Sequence, residues 1–501
     1  MLASSMNRTY ETKSRWADKI AFFSLFIVVL LIASFIVTLR SAIVLSEPIE
    51  LNCAGLSVCI PTGAGWQGGK QWKYQQNTFT LDSFFTPSPG SVTTLVSCRY
   101  LLAAAKTTPE ALFNEKTSEV DGAKISKTGK IEIGRSAEGP QNKSILTVDW
   151  ADIKGSKTPF DTFFGVVQLP NNRRLDIEVY QDTEDVVSAE KIFKSVTESL
   201  KFTDNHLLEA GGKIVAEIKD KGLDSFPASA AKKQEQDRKS FFMIKDARGR
   251  TIGFTVEAIG PYFAERPQKG AVLESTPEVQ NIQAWSFYYI RGRQEQEQIT
   301  FFKSDNSFKE FVWKSETTGP VGRSGVEIVL DKDGIMTVKE SDLQAKEKDY
   351  QISPAAIPEV LGKFIFNQML DSNRKEIFVD IIGADGKITP ALVSRTEASH
   401  STASQNRSGG ADVAQEAAYV FEMKFLDSQG FSQQVYLDDK RQISRMLLQQ
   451  ESTYTLERTD AENILREFPE QGSYILQRKD KILEQNQLQE DSEQQLPTTS
   501  Y

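Results

Sequence analysis

The chain has 501 residues, 39% of them hydrophobic and 25% charged, ordinary values for a globular protein with room for two or three domains. A formal net charge of −9 argues against a nucleic-acid surface, which needs a basic face. With 2 histidines and 3 cysteines, there is little material for a zinc site or a histidine-based triad.

The first element is Ile20–Leu39, an uncharged run in which only Ser24, Ser34 and Thr38 are polar. At about 1.5 Å of rise per residue it reaches roughly 30 Å, so a transmembrane helix over 20–40 is expected. Arg8, Lys13, Arg15 and Lys19 precede it, while only Arg40 follows before Lys70. That asymmetry predicts a cytoplasmic tail over 1–19 and an extracytoplasmic, periplasmic body: a single-pass signal anchor of a cell envelope. A cleaved signal peptide has a shorter apolar core, of about 7–15 residues, and a small-residue cleavage site that Ser41-Ala42-Ile43 supplies poorly. Residues 41–52 are a juxtamembrane segment.

Residues 53–205 read as an α+β domain. Cys53, Cys59 and Cys98 all fall here, and two arrangements fit: one disulfide with a leftover thiol, or three buried reduced thiols. Leu56, Val58 and Ile60 alternate with polar neighbours and stop at Pro61, as a strand does. Phe79–Phe85 and Val92–Leu101 continue as strands. Thr107-Thr108-Pro109-Glu110 starts a helix, with a hydroxyl cap, a first-turn proline and a glutamate three residues after Thr107. Ile145–Trp150, Phe163–Leu169 and Leu175–Tyr180 are strands, and Asp185–Leu200 is an amphipathic helix. The opening LSVCIPTGAGW (Leu56–Trp66), the strand pair FFGVVQLPNNRRLDIEVY (Phe163–Tyr180) and the closing SVTESLKF (Ser195–Phe202) resemble the Mog1/PsbP-like domain. The resemblance implies an α/β sandwich that binds proteins or acts as an accessory subunit, with no catalytic motif.

Residues 206–240 hold a short helix, Gly212–Lys221, and a polar linker. From 241 to 458 long strands with Asp-Gly turns predict a large antiparallel β domain. One apolar helix begins at Ser353-Pro354 and turns Ile357, Val360, Leu361, Phe364, Ile365, Met369 and Leu370 to one side. The helix IPEVLGKFIFNQML (Ile357–Leu370) set between strand runs, with the pair FSQQVYLDDKRQISRMLLQQ (Phe431–Gln450), resembles the curved sheets of LolA/LolB-type lipoprotein carriers. Residues 398–416 are a low-complexity loop. In 459–501, Thr459-x-x-Glu462 caps a last helix, and a polar tail with the composition of disorder follows.

No His-Glu-x-x-His, Gly-x-Ser-x-Gly or Cys-x-x-Cys occurs. Gly63-x-Gly65-x-x-Gly68 matches a dinucleotide fingerprint, but a strand-like run follows it where a helix is required. Asp331-Lys332-Asp333-Gly334 begins like a calcium loop and then enters Ile335-Met336, which suits a hairpin. No cofactor and no metal site is expected. The aromatics Trp285, Phe287, Tyr288, Tyr289, Phe301, Phe302, Phe311 and Trp313 are core, or else they border an apolar cavity lined by Phe287, Phe301, Ile357, Phe364 and Ile365. The expected function is a non-enzymatic, membrane-anchored module that binds envelope proteins. The alternatives are a carrier or sensor of a lipid or other apolar ligand and, third, a hydrolase. The expected partners are a membrane through 20–40, other proteins and a lipid, without nucleic acid.

Overall fold

Strands built from alternating side chains dominate the computed structural model, and they gather into two large sheets. The structure describes residues 22–24, 26–29, 43–87, 91–104, 107–136, 145–155, 160–170, 172–182, 188–203, 205–222, 239–262, 281–291, 296–305, 307–319, 322–340, 347–396, 417–426, 432–449 and 453–473.

The first sheet has eleven strands. Its centre is a meander of Ala123–Ser136, Ile145–Gly155, Phe160–Leu169 and Arg173–Asp182, which continues onto Thr94–Leu101 and Thr78–Phe85. Two helices belong to it: α1 (Pro109–Ser118) and α2 (Ala189–Ser199). The Thr108 hydroxyl caps α1 by accepting from the Ala111 amide, so the cap lies one residue later than Thr107. On α2, Ile192, Phe193 and Val196 are buried, each contributing about 1.5–3 kcal/mol of apolar burial. Phe193 fits because Gly165 lies beneath it: a Cβ there would meet the ring at 2.7 Å.

The second sheet has fifteen strands, and its order records how it is wound. The chain enters at the middle with Lys239–Lys245 and meanders strand by strand to one edge at Lys348–Gln351. It then crosses to the opposite edge, Ala356–Pro358, and returns inward to Thr453–Thr459, which pairs antiparallel with Lys239–Lys245. Two helices pack against one face of this sheet or its Glu376–Ile382 strand: α3 (His206–Lys221) and α4 (Gly362–Asp371). Phe366 of α4 meets Phe421, and Phe364 meets Phe308. The reverse face is covered by α5 (Ala461–Glu467) and Phe468, which pack on Met243, Phe254, Val256, Phe287 and Tyr289. Asp460, not Thr459, caps α5, accepting from the Asn463 amide at 2.8 Å.

Three expectations are corrected. The α+β class gives way to a mostly β protein: strand residues outnumber helical ones more than twofold, because the helices are short covers on two very wide sheets. The membrane-spanning helix is overturned as well. Among the described residues no helix is long and apolar enough to cross a membrane. Of the 20–40 run, residues 22–24 and 26–29 are described, as helix, and the rest lies outside the described residues. The single-pass, signal-anchored membrane localisation is therefore not supported. The tail 1–19, the 398–416 loop, His400 and the polar C-terminus lie outside the described residues.

Candidate functional site

The most unusual chemistry lies where the two sheets touch. Arg173 opens the strand Arg173–Asp182, and strand alternation aligns it with Leu175, Ile177 and Val179, all buried. Its guanidinium is therefore carried inward and is only 2% exposed. Nη1 donates to the Tyr100 hydroxyl at 3.0 Å, and Nη2 donates to Asp380 Oδ2 at 2.6 Å. Asp380, 1% exposed, belongs to the strand Glu376–Ile382 of the second sheet, so the ion pair bridges the two sheets. Other bonds cross the same seam. The Tyr74 hydroxyl donates to the Ile388 carbonyl at 2.5 Å, the Ile388 amide donates to Asn77 Oδ1 at 2.7 Å, and Asn172 Nδ2 donates to the Ile352 carbonyl at 2.9 Å.

Beside this network is a recess of about 310 Å³. Tyr100, Arg173 and Phe202 form its buried floor, Leu146, Leu169 and Leu208 are among its apolar walls, and Pro170, Thr203 and Glu209 stand exposed at its mouth. The start of α3 shapes one side: Asn205 Oδ1 accepts from the amides of Leu207 and Leu208, and its Nδ2 donates to the Asn52 carbonyl. Burial pushes the Tyr100 phenol up to about 12. Burial alone would lower Arg173, but Asp380 and Tyr100 outweigh it and hold the guanidinium charged. Among the described residues Arg173 Nε has no hydrogen-bond partner, and neither has Asp380 Oδ1.

A second polar cluster sits on the helix-covered face of the fifteen-stranded sheet. Register aligns Ser240, Glu257, Ser286, Thr300 and Ser315 across five strands of that face. Glu257 is half-buried, and near it are Lys363 of α4 and Glu359, one turn earlier. Surrounding protein, then the charges of Glu257 and Asp385, push Glu359 up to about 7 although its side chain stays open to water. Burial lowers Lys363 to about 8, opposed by Glu257.

The five residues expected to line one apolar cavity are divided. Ile357, Phe364 and Ile365 are together in the main core, nearly inaccessible. Phe287 and Phe301 point to the reverse face: Phe287 packs with Phe254, and Phe301 pairs across strands with Trp285. The aromatic set splits by the same alternation, with Phe302, Phe311 and Trp313 on the core side. Cys53, Cys59 and Cys98 are free thiols; Cys53 and Cys98 are buried, which pushes each thiol up to about 12. Asp331 turns a hairpin, its Oδ1 accepting from the amides of Asp333 and Ile335. Gly63–Gly68 leads into a short strand, not a helix. His206 is exposed at the start of α3. Among the described residues no group of three or more His, Cys, Asp or Glu could hold a metal ion.

Arg173, Tyr100 and Asp380 were absent from the sequence-derived site. Two signals pointed to them: an arginine in phase with three core residues of a strand, and an aspartate in phase with Phe378 and Ile382.

No family model matches the chain, and no curated protein sequence matches it. Among solved structures it is similar to a beta-barrel-like protein of the domain of unknown function DUF1849 from Brucella abortus, at 10% identity and a TM-score of 0.31, over 44% of this chain and 95% of that one. It is also similar to a protein from Bacteroides thetaiotaomicron, at 12% identity and a TM-score of 0.20, over 36% of this chain and 62% of that one. A DUF1089 family protein from Pseudomonas aeruginosa matches at 10% identity and a TM-score of 0.20, over 36% of this chain and 95% of that one. None of the three is named as a Mog1/PsbP-like or LolA/LolB-like protein.

Proposed function

We propose that this chain is a non-enzymatic binding module that holds a small ligand with both apolar and polar parts in the recess above Arg173. The carrying observation is the recess itself, in which Leu146, Leu169, Phe202 and Leu208 stand beside the polar Tyr100, Thr203, Asn205 and Glu209. The volume of about 310 Å³ is at the small end of ligand sites, which suits a small molecule rather than a protein segment. The floor suits binding rather than proton transfer. Tyr100 stays protonated and Arg173 stays charged near neutral pH, so neither serves as a base there. The LolA/LolB-type likeness identifies no ligand, and the Mog1/PsbP-like likeness fits an accessory, non-catalytic role. In this reading the site moves from the second sheet to the first.

The test is native mass spectrometry and thermal shift of the purified chain with a panel of small amphipathic compounds. The original chain is expected to retain or be stabilised by members of the panel, and Leu208→Trp, which fills the recess from α3, is expected to lose them at unchanged circular dichroism. Equal binding by Leu208→Trp, or no binder for the original chain, would sink the proposal.

A further inference from the structure

We infer that the ligand is an alkylammonium, a protonated amine on a short hydrocarbon body, with its charged end at the exposed mouth of the recess and its hydrocarbon inside; this rests on the binding role proposed above. The three exposed residues of the mouth offer acceptors and no spare donor. Pro170 has no amide hydrogen. Thr203 sends both of its hydrogens to the Gly55 carbonyl, the amide at 2.8 Å and the hydroxyl at 3.2 Å. The Glu209 amide donates to the Asn205 carbonyl at 3.1 Å. What these residues leave to a ligand is the Glu209 carboxylate and the lone pairs of the Thr203 hydroxyl, and an ammonium is a donor without acceptors. Half-buried Asn205 spends its Oδ1 on the cap of α3 and one Nδ2 hydrogen on Asn52, and its second Nδ2 hydrogen is a neutral donor that offsets no charge.

The charge balance points the same way. Asp380 neutralises Arg173 at 2.6 Å, and burial keeps Tyr100 a neutral phenol. Glu209 is the remaining ionisable group of the lining, so the recess is net negative. Lys213, one turn further along α3, is exposed and forms no ion pair with Glu209 among the described residues. The α3 dipole, about half a charge at the N-terminus, offsets the carboxylate only in part. Because Glu209 is exposed, an ammonium beside it keeps much of its hydration, while Leu146, Leu169, Phe202 and Leu208 take up the hydrocarbon. A carboxylate in the same place meets like charge.

The experiment is isothermal titration of the full chain, at low salt, with octylammonium, 1-octanol and octanoate, which share a body and differ at one end. Octylammonium is expected to bind about 3–5-fold tighter than 1-octanol, the scale of one exposed charge pair, and octanoate is expected to bind weakest. Glu209→Gln is expected to remove the advantage of octylammonium, and Glu209→Lys to make octanoate the tightest of the three. Salt at about 0.5 M is expected to shrink the same advantage in the original chain. Equal binding of octylammonium and 1-octanol, or an advantage that survives in Glu209→Gln, would overturn the ammonium assignment and leave the recess as a binding site. Binding of none of the three, or binding of all three unchanged in Leu208→Trp, would overturn the binding role as well.

Discussion

Replacing Asp380 by alanine removes one half of an ion pair that is nearly inaccessible on both sides, Arg173 at 2% and Asp380 at 1%. The guanidinium then stays buried with the Tyr100 hydroxyl as its one remaining side-chain acceptor among the described residues. Breaking a buried pair in this way costs about 3–5 kcal/mol, two to nearly four decades in the folding equilibrium. Against a total stability of about 5–15 kcal/mol that is a large share. Arg173→Met is expected to cost a similar amount, because it strands the carboxylate instead. The double variant Arg173→Met/Asp380→Leu is expected to recover most of the loss, to within about 1 kcal/mol of the original chain. The reason is in the geometry: Nε and Oδ1 both lack partners, so the pair's own attraction offsets its desolvation incompletely. Urea denaturation followed by tryptophan fluorescence gives all three values. With a slope of about 2–3 kcal/mol per molar, each single variant lowers the midpoint by roughly 1–2.5 M. Single variants within 1 kcal/mol of the original, or a double variant as unstable as the sum of the singles, would refute the reasoning.

The neighbouring glycines of α3 should behave oppositely: a Cβ on Gly211 meets the Phe378 carbonyl oxygen at 1.7 Å, so Gly211→Ala is expected to lose at least 1–3 kcal/mol in urea unfolding, whereas Gly212→Ala, whose nearest contact is at 3.9 Å, gains about 0.5–1 kcal/mol of helix propensity. Phe468→Ala removes the ring that meets Phe254, Tyr289 and Arg291 on the reverse face, and its expected loss of about 3–5 kcal/mol is read by the same unfolding assay, with a loss under 1 kcal/mol contradicting that packing role. Glu359 titrates at about 7 in the folded chain against an ordinary 4.5, so folding takes up a proton between those values; its stabilising contribution is complete below pH 4.5 and is lost as pH rises through 7. Glu359→Gln, neutral throughout, is therefore expected to raise Tm relative to the original chain at pH 8.5 and to match it near pH 4, and a Tm difference independent of pH would contradict the raised Glu359 pKa.

The sequence by itself determined the local pieces, because alternation, turn residues and caps act over a few neighbours. The strand run from Phe241 onward, the Asp331 hairpin and the failure of Gly63–Gly68 as a nucleotide loop all follow from such patterns, whereas the helix expected from Ser353-Pro354 starts only at Gly362 because Ile357 is taken into the strand Ala356–Pro358. Arg173 and Asp380 are in phase with buried neighbours on their strands, but that phase singled out neither and named no partner. Tertiary structure alone decided what those pieces meet. The strand Lys239–Lys245 closes against Thr453–Thr459, more than two hundred residues later, and Arg173 finds Asp380 at a separation of 207. The aromatic cluster was legible as aromatic but not as two faces, since Phe301 and Phe302 differ only in which side of the sheet acquired a cover, α5 or α4. An apolar run reads the same whether its cover is lipid or protein, so Ile20–Leu39 suggested a span by composition alone, while among the described residues no helix is long and apolar enough to cross a membrane. Hydrophobic burial is non-directional, and only the completed fold states which surface an apolar side chain leaves water to join.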